Sequence, residues 1–177
     1  AELGALPDDA AIDLRLNNLK LSKYEYVPTI DERARINFRY GNAERSYFLH
    51  APPSAGQYIP AVIALHGAGR SGASMVDAWQ QTANRHGFLV VAPNGIANNW
   101  DVAVDDSAFI AAAVKDALRK SGMEPTRMYL FGHSNGARKA IALAVSNPGT
   151  YTAVVAHAGT LPQPVTSAKI LASPPKI

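Results

Sequence analysis

From residue 61 onward, short apolar runs alternate with stretches whose apolar residues recur every three to four positions. Residues 61–65 (Ala-Val-Ile-Ala-Leu) and 88–92 (Phe-Leu-Val-Val-Ala) are continuous apolar runs, the signature of strands buried on both faces. Between them Met75, Val76, Trp79 and Ala83 share one face of a helix that Ser71 is placed to cap and Gly87 to close. Pro93 ends the second run. A further helix carries Phe109, Ile110, Ala113, Val114, Ala117 and Leu118 as its stripe, with Asp105 or Asp106 at its start and Arg119 and Lys120 at its end. Gly122 and Pro125 are expected to stop it. A strand at 128–131, a helix at 136–146 and a strand at 152–156 complete the alternation. Ahead of it, residues 35–40 and 45–50 flank Gly41-Asn42-Ala43 and read as an antiparallel hairpin. The pattern predicts an α/β domain with a mostly parallel sheet flanked by helices and an antiparallel N-terminal hairpin. Residues 1–34 form a leader segment and 35–177 the domain.

Two stretches carry candidate chemistry. The first is Gly132-His133-Ser134-Asn135-Gly136, joining an apolar strand to a helix. A serine at such a turn has its hydroxyl pushed out of the sheet, the flanking glycines leave room for strained backbone, and the helix dipole points at the same spot. A bare Gly-x-Ser-x-Gly arises by chance in roughly one chain in twenty of this length, so the strand and helix around it carry the weight. The second stretch is His66-Gly67-Ala68-Gly69-Arg70-Ser71-Gly72, directly after the run 61–65. Ester hydrolysis by a serine passes through a tetrahedral oxyanion that two preset backbone NH groups stabilise, and Ala68 and Asn135 are the expected donors. The glycines at 67, 69 and 72 also match a dinucleotide loop. That reading wants an acidic residue about 20 positions on, where the chain has Pro93-Asn94.

These blocks, with Arg45-Ser46-Tyr47 and Pro52, Ala92-Pro93-Asn94-Gly95 and Val104-Asp105-Asp106-Ser107-Ala108-Phe109-Ile110, occur in the order found in one family. Over about residues 44–160 the chain resembles the polyhydroxybutyrate depolymerase and feruloyl esterase group of α/β-hydrolases, related to carbohydrate esterase family 1. The resemblance implies an α/β-hydrolase fold, Ser134 as nucleophile, Ala68 and Asn135 as oxyanion donors, and a hydroxyalkanoate or hydroxycinnamoyl ester as substrate. It also implies that Asp105 and Asp106 cap a helix. His133 could line the pocket, and Trp100 could either stack on an aromatic acyl group or cover the core.

Composition narrows the alternatives. A net charge of +3 with no basic cluster interleaved with aromatics argues against nucleic acid, and no apolar run approaches a membrane span. The absence of cysteine removes disulfides and thiolate chemistry. The five histidines show no metal-ligand spacing, so neither a metal nor another cofactor is expected. A first residue other than Met fits either a removed signal peptide, and so a secreted or periplasmic protein, or a recombinantly trimmed chain, and the sequence leaves both open.

One element of a hydrolase has no candidate. The triad order is serine, then acid, then histidine, yet residues 135–177 contain no Asp or Glu and only His157, at the end of the strand after the serine's helix. The expectation is therefore that these residues are the N-terminal part of a longer hydrolase. The catalytic acid and base would then lie outside this chain, on a C-terminal segment or second chain. A binding protein with this fold and no hydrolysis, or a nucleotide-binding α/β domain, are the alternatives.

Overall fold

The computed structural model describes residues 27–53, 55–100 and 106–160. Strands β1 (Ile36–Tyr40), β2 (Ala43–His50), β3 (Tyr58–Leu65), β4 (Leu89–Pro93), β5 (Glu124–His133) and β6 (Ala153–His157) form one sheet in the order β1-β2-β4-β3-β5-β6. The pairs β4/β3, β3/β5 and β5/β6 are parallel, and β1/β2 and β2/β4 are antiparallel. The helices are α1 (Gly72–His86), α2 (Ser107–Ser121) and α3 (Asn135–Ser146). This is the α/β-hydrolase architecture expected from the sequence, with the hairpin as its antiparallel margin.

The sheet is buried on both faces because successive residues of each central strand serve different helices. Ala61, Ile63 and Leu65 of β3 and Leu89 and Val91 of β4 join Phe109, Ile110 and Ala113 of α2 and Ala140 and Leu143 of α3 in one cluster. The residues between them, Ala64, Val90 and Ala92, pack with Ala73, Met75, Val76 and Ala83 of α1 on the other face. At about 25 cal/mol per Å² of apolar surface removed from water, this two-sided burial is the main stabilising term. It also explains why the central runs are continuously apolar rather than alternating.

Several boundaries differ from the expected ones. Pro125 lies near the start of the ten-residue β5, beside a register shift between Ile59 and Ala61 of β3. A missing ladder donor is tolerated at such an irregularity, so this proline does not end the preceding structure. Gly87 and Gly122 close α1 and α2 in left-handed conformations, as expected. The N-caps differ in detail, because neither the Ser71 nor the Asp106 side chain caps the helix it precedes. The expected leader falls mostly on residues 1–26, and Asp105 within 101–105, both outside the described residues. No helix among the described residues is long and apolar enough to cross a membrane.

Candidate functional site

The chain runs from β3 through α1 to β4 on one side, and the next parallel strand, β5, lies on the other side of β3. This reversal places the carboxyl ends of β3 and β5 side by side, the position where open α/β sheets bind ligands. Leu65 and Gly132 are register partners there, so the loop 66–71 and the turn at Ser134 leave the sheet together.

The turn is tight. Ser134 has φ 53° and ψ −114°, a conformation that side chains rarely adopt and that stores about 1–3 kcal/mol. The surrounding contacts hold it there: its NH donates to the His157 carbonyl at 2.8 Å, and its carbonyl accepts from Ala137 NH at 3.0 Å. Two glycines permit the approach of α3 to the sheet. A methyl group at Gly132 would lie 2.3 Å from the Gly136 carbonyl oxygen, and one at Gly136 would lie 2.2 Å from that of Leu65. These are backbone collisions that no rotamer change relieves.

The facing loop is shaped by a turn in which Arg70 NH donates to the Gly67 carbonyl, with Gly69 at φ +70°. A methyl group on Gly67 would stand 3.5 Å from Ser134 Cβ and 3.0 Å from the His133 ring. The structure thus brings together Ser134, Gly67, the neighbouring Ala68, Asn135 and His133. Neither Ala68 nor Asn135 donates its NH to another backbone carbonyl among the described residues. Backbone NH groups left free of backbone carbonyls are the kind of donor that can stabilise charge developing on an attacked carbonyl oxygen.

His133 and His157 are register partners on β5 and β6, with their Nδ1 atoms 2.9 Å apart. The ring centroids lie 5.1 Å apart, close to the sum of that distance and two ring radii, so the rings meet head to head. One Nδ1–H donates to the other Nδ1.

Trp100 takes the core-covering position of its two expected roles. Its ring is 1% exposed, and its indole NH donates to the His66 carbonyl at 3.0 Å. That buried position corrects the expectation that it could stack on an acyl group. His66 is fully buried, with Nδ1 2.8 Å from the Gly67 carbonyl and Nε2 accepting from Gly95 NH at 3.0 Å. This pairing needs a proton on Nδ1 and a lone pair on Nε2, so the ring is held neutral. Burial lowers its pKa below the ordinary 6.5, and the bond to the Gly67 carbonyl opposes only part of that fall. The unfolded chain therefore binds the proton first as pH falls. Stability attributable to His66 is present above about pH 6.5 and lost below it. We predict a drop in thermal midpoint between about pH 7.5 and pH 5 that is smaller in His66→Gln. Equal drops in both proteins would contradict this.

Sequence reasoning missed two supports. Asn94, nearly buried after β4, accepts from Gly72 NH at 2.7 Å and donates to Ser46 Oγ at 2.8 Å. It therefore supplies the cap of α1 in place of the expected Ser71. This arrangement also argues against the dinucleotide loop, because Gly72 is packed against the Ala92 carbonyl and the first turn of α1 is buried. The second support is Asp106, 3% exposed, which pairs with Arg45 of β2 and Lys139 of α3, each at 3.3 Å. Among the described residues no three His, Asp or Glu side chains are grouped so that they could hold a metal ion.

With this geometry in place, the comparisons with known proteins fall into line. The family model Esterase matches residues 40–168. An acetylxylan esterase of Coprinopsis cinerea is 30% identical over 130 residues, covering 65% of this chain and 35% of that protein. Feruloyl esterase B of Neurospora crassa is 25% identical over 125 residues, covering 63% and 43%. Among solved structures, the poly(3-hydroxybutyrate) depolymerase LpqC from Bordetella parapertussis superposes with a TM-score of 0.53 at 26% identity, covering 64% of this chain and 45% of that one. The chain thus spans between about a third and a half of the length of these relatives. On the family match, which extends over well over half of its residues, the chain belongs to the Esterase family, among relatives of the polyhydroxybutyrate depolymerase and feruloyl esterase kind.

Proposed function

We propose that this chain carries the nucleophile and the oxyanion hole of a serine esterase. Ser134 Oγ attacks the ester carbonyl carbon, the carbonyl π electrons move onto oxygen, and the Ala68 and Asn135 NH groups stabilise that oxyanion. Its collapse expels the alcohol and leaves an acyl group on Ser134, which water then hydrolyses. The serine proton passes through a general base to the departing alcohol. No residue of this chain is assigned that role, since residues 135–177 contain no Asp or Glu to orient a histidine behind Ser134.

The observation that carries the proposal is the strained turn at Ser134 set against the Gly67-Ala68 loop. A serine in an ordinary surface turn has no need of a positive φ or of two glycines compressed against backbone oxygens. The substrate class is a carboxylic ester of the hydroxyalkanoate or feruloyl type, supported by the names of the relatives. A secreted or periplasmic location would suit such polymeric or wall-linked esters. The reading of a binding protein without hydrolysis has no observation in its favour.

The test is a fluorophosphonate probe with mass mapping, followed by a panel of acetyl, hydroxybutyryl and feruloyl esters. Phosphonylation at Ser134 is expected. A folded, full-length protein, carrying the segment that supplies the base, whose Ser134 stays unmodified would end the proposal.

A further inference from the structure

The two proposed oxyanion donors sit on different loops, one after β3 and one after β5. Among the described residues no backbone hydrogen bond joins residues 66–71 directly to 134–135. Gly67 faces the His133 ring and Ser134 Cβ, and Gly136 faces the Leu65 and His66 carbonyls, so these contacts set how closely the loops approach without a directional bond between the two donors. A tetrahedral oxyanion needs both NH groups about 2.7–3.1 Å from one point. Something must hold their relative position.

We infer that Trp100 is the positioning residue of the oxyanion hole, an inference that rests on the reading of Ala68 and Asn135 as its donors. Trp100 directs its two NH groups to the two loops. Its backbone NH donates to Asn135 Oδ1 at 2.7 Å, and its indole NH donates to the His66 carbonyl at 3.0 Å. Asn135 itself carries one proposed donor, and His66 lies two residues before the other. The clamp is rigid for identifiable reasons. The Trp100 ring is 1% exposed and 5.1 Å from the His66 ring, and His66 is held in turn by Gly95 NH and the Gly67 carbonyl. Gly95 packs so closely that a methyl group on it would lie 2.1 Å from the Asn99 carbonyl oxygen and 3.2 Å from the Trp100 ring. The side chain of Asn135, which follows the nucleophile, thereby gains a role separate from its backbone NH. It is the acceptor that ties the elbow to the opposite loop.

The test uses a matched pair of phosphonylating probes, one with P=O and one with P=S. NH donors stabilise charge on oxygen better than on the larger, softer sulfur, so the P=O to P=S rate ratio at Ser134 reports the oxyanion hole itself. Trp100→Phe keeps an aromatic ring of smaller size and removes the indole NH, and Asn135→Ala removes the acceptor. Either is expected to slow P=O labelling by about 10- to 100-fold, to collapse the ratio, and to leave the half-saturating probe concentration unchanged. A general loosening would slow both probes alike and preserve the ratio, and that result in a folded variant would overturn the inference. Circular dichroism establishes folding, and Asn135→Ala, whose side chain is not in the core, carries the test if Trp100→Phe fails to fold. The outcomes also separate the two levels of argument. No labelling of the unaltered full-length protein by either probe removes the esterase reading and this inference with it. Labelling of the unaltered protein with an unchanged ratio in the variants removes the inference alone.

Discussion

Replacing Ser134 by alanine is expected to abolish phosphonylation and to lower any ester turnover by on the order of 10⁴- to 10⁶-fold, because no other group occupies the attacking position. The same position yields a stability result that separates strain from contacts. At φ 53° and ψ −114° an alanine Cβ meets the same backbone conflict as serine, so Ser134→Ala should leave the thermal midpoint nearly unchanged. Glycine tolerates this conformation, and Ser134→Gly should be more stable than Ser134→Ala by about 1 kcal/mol after the entropy of the freer unfolded chain is subtracted. Differential scanning calorimetry of the three proteins checks this ordering. If alanine and glycine are equal, the turn is not strained in solution, and the argument from strain to nucleophile elbow fails with it.

The largest effect on stability is expected at Asp106. Its carboxylate lies between Lys139, about as buried as itself, and the mostly buried Arg45, whose guanidinium also sits 3.5 Å over the centre of the Phe109 ring. Asp106→Asn keeps the shape but leaves two buried cations facing a neutral amide. Removing one partner from a buried ionic group costs about 3–5 kcal/mol, far above the 0–1 kcal/mol of an exposed pair. The expected readout is a large fall in the urea midpoint with little change in the slope. Adding Lys139→Met should restore part of the loss, because it removes one of the cations the carboxylate balances. A midpoint shift of only a few tenths of a kcal/mol in Asp106→Asn would show that water reaches the cluster and screens it.

This cluster marks a limit of what the sequence made legible. Asp106 stands one residue before α2, where a helix-capping carboxylate is the natural local reading. Its partners lie 61 positions before it and 33 positions after it, and no local pattern connects them. The same holds for Asn94, which looks like a turn residue after a strand-ending proline but caps a helix that begins 22 residues earlier. Trp100 was open between two roles for a related reason: a large aromatic in a loop has no period, so burial alone decides whether it faces solvent, ligand or core.

Elements whose cause is local were readable in advance. The two-sided apolar runs specified the central strands, the left-handed glycines at 87 and 122 specified where helices stop, and the Gly-x-Ser-x-Gly spacing specified a strained strand-to-helix turn. Each rests on steric or solvation demands acting over a few residues. The tertiary structure decided what depends on distance through space. It set the sheet order that brings the ends of β3 and β5 together, the pairing of His133 with His157, the chain of hydrogen bonds through Gly95, His66, Trp100 and Asn135, and the burial of Asp106 with its two cations. A hydrogen bond or ion pair across the sheet is fixed by which strands become neighbours, and neighbouring strands are chosen by the burial of the whole core, to which every segment contributes at once.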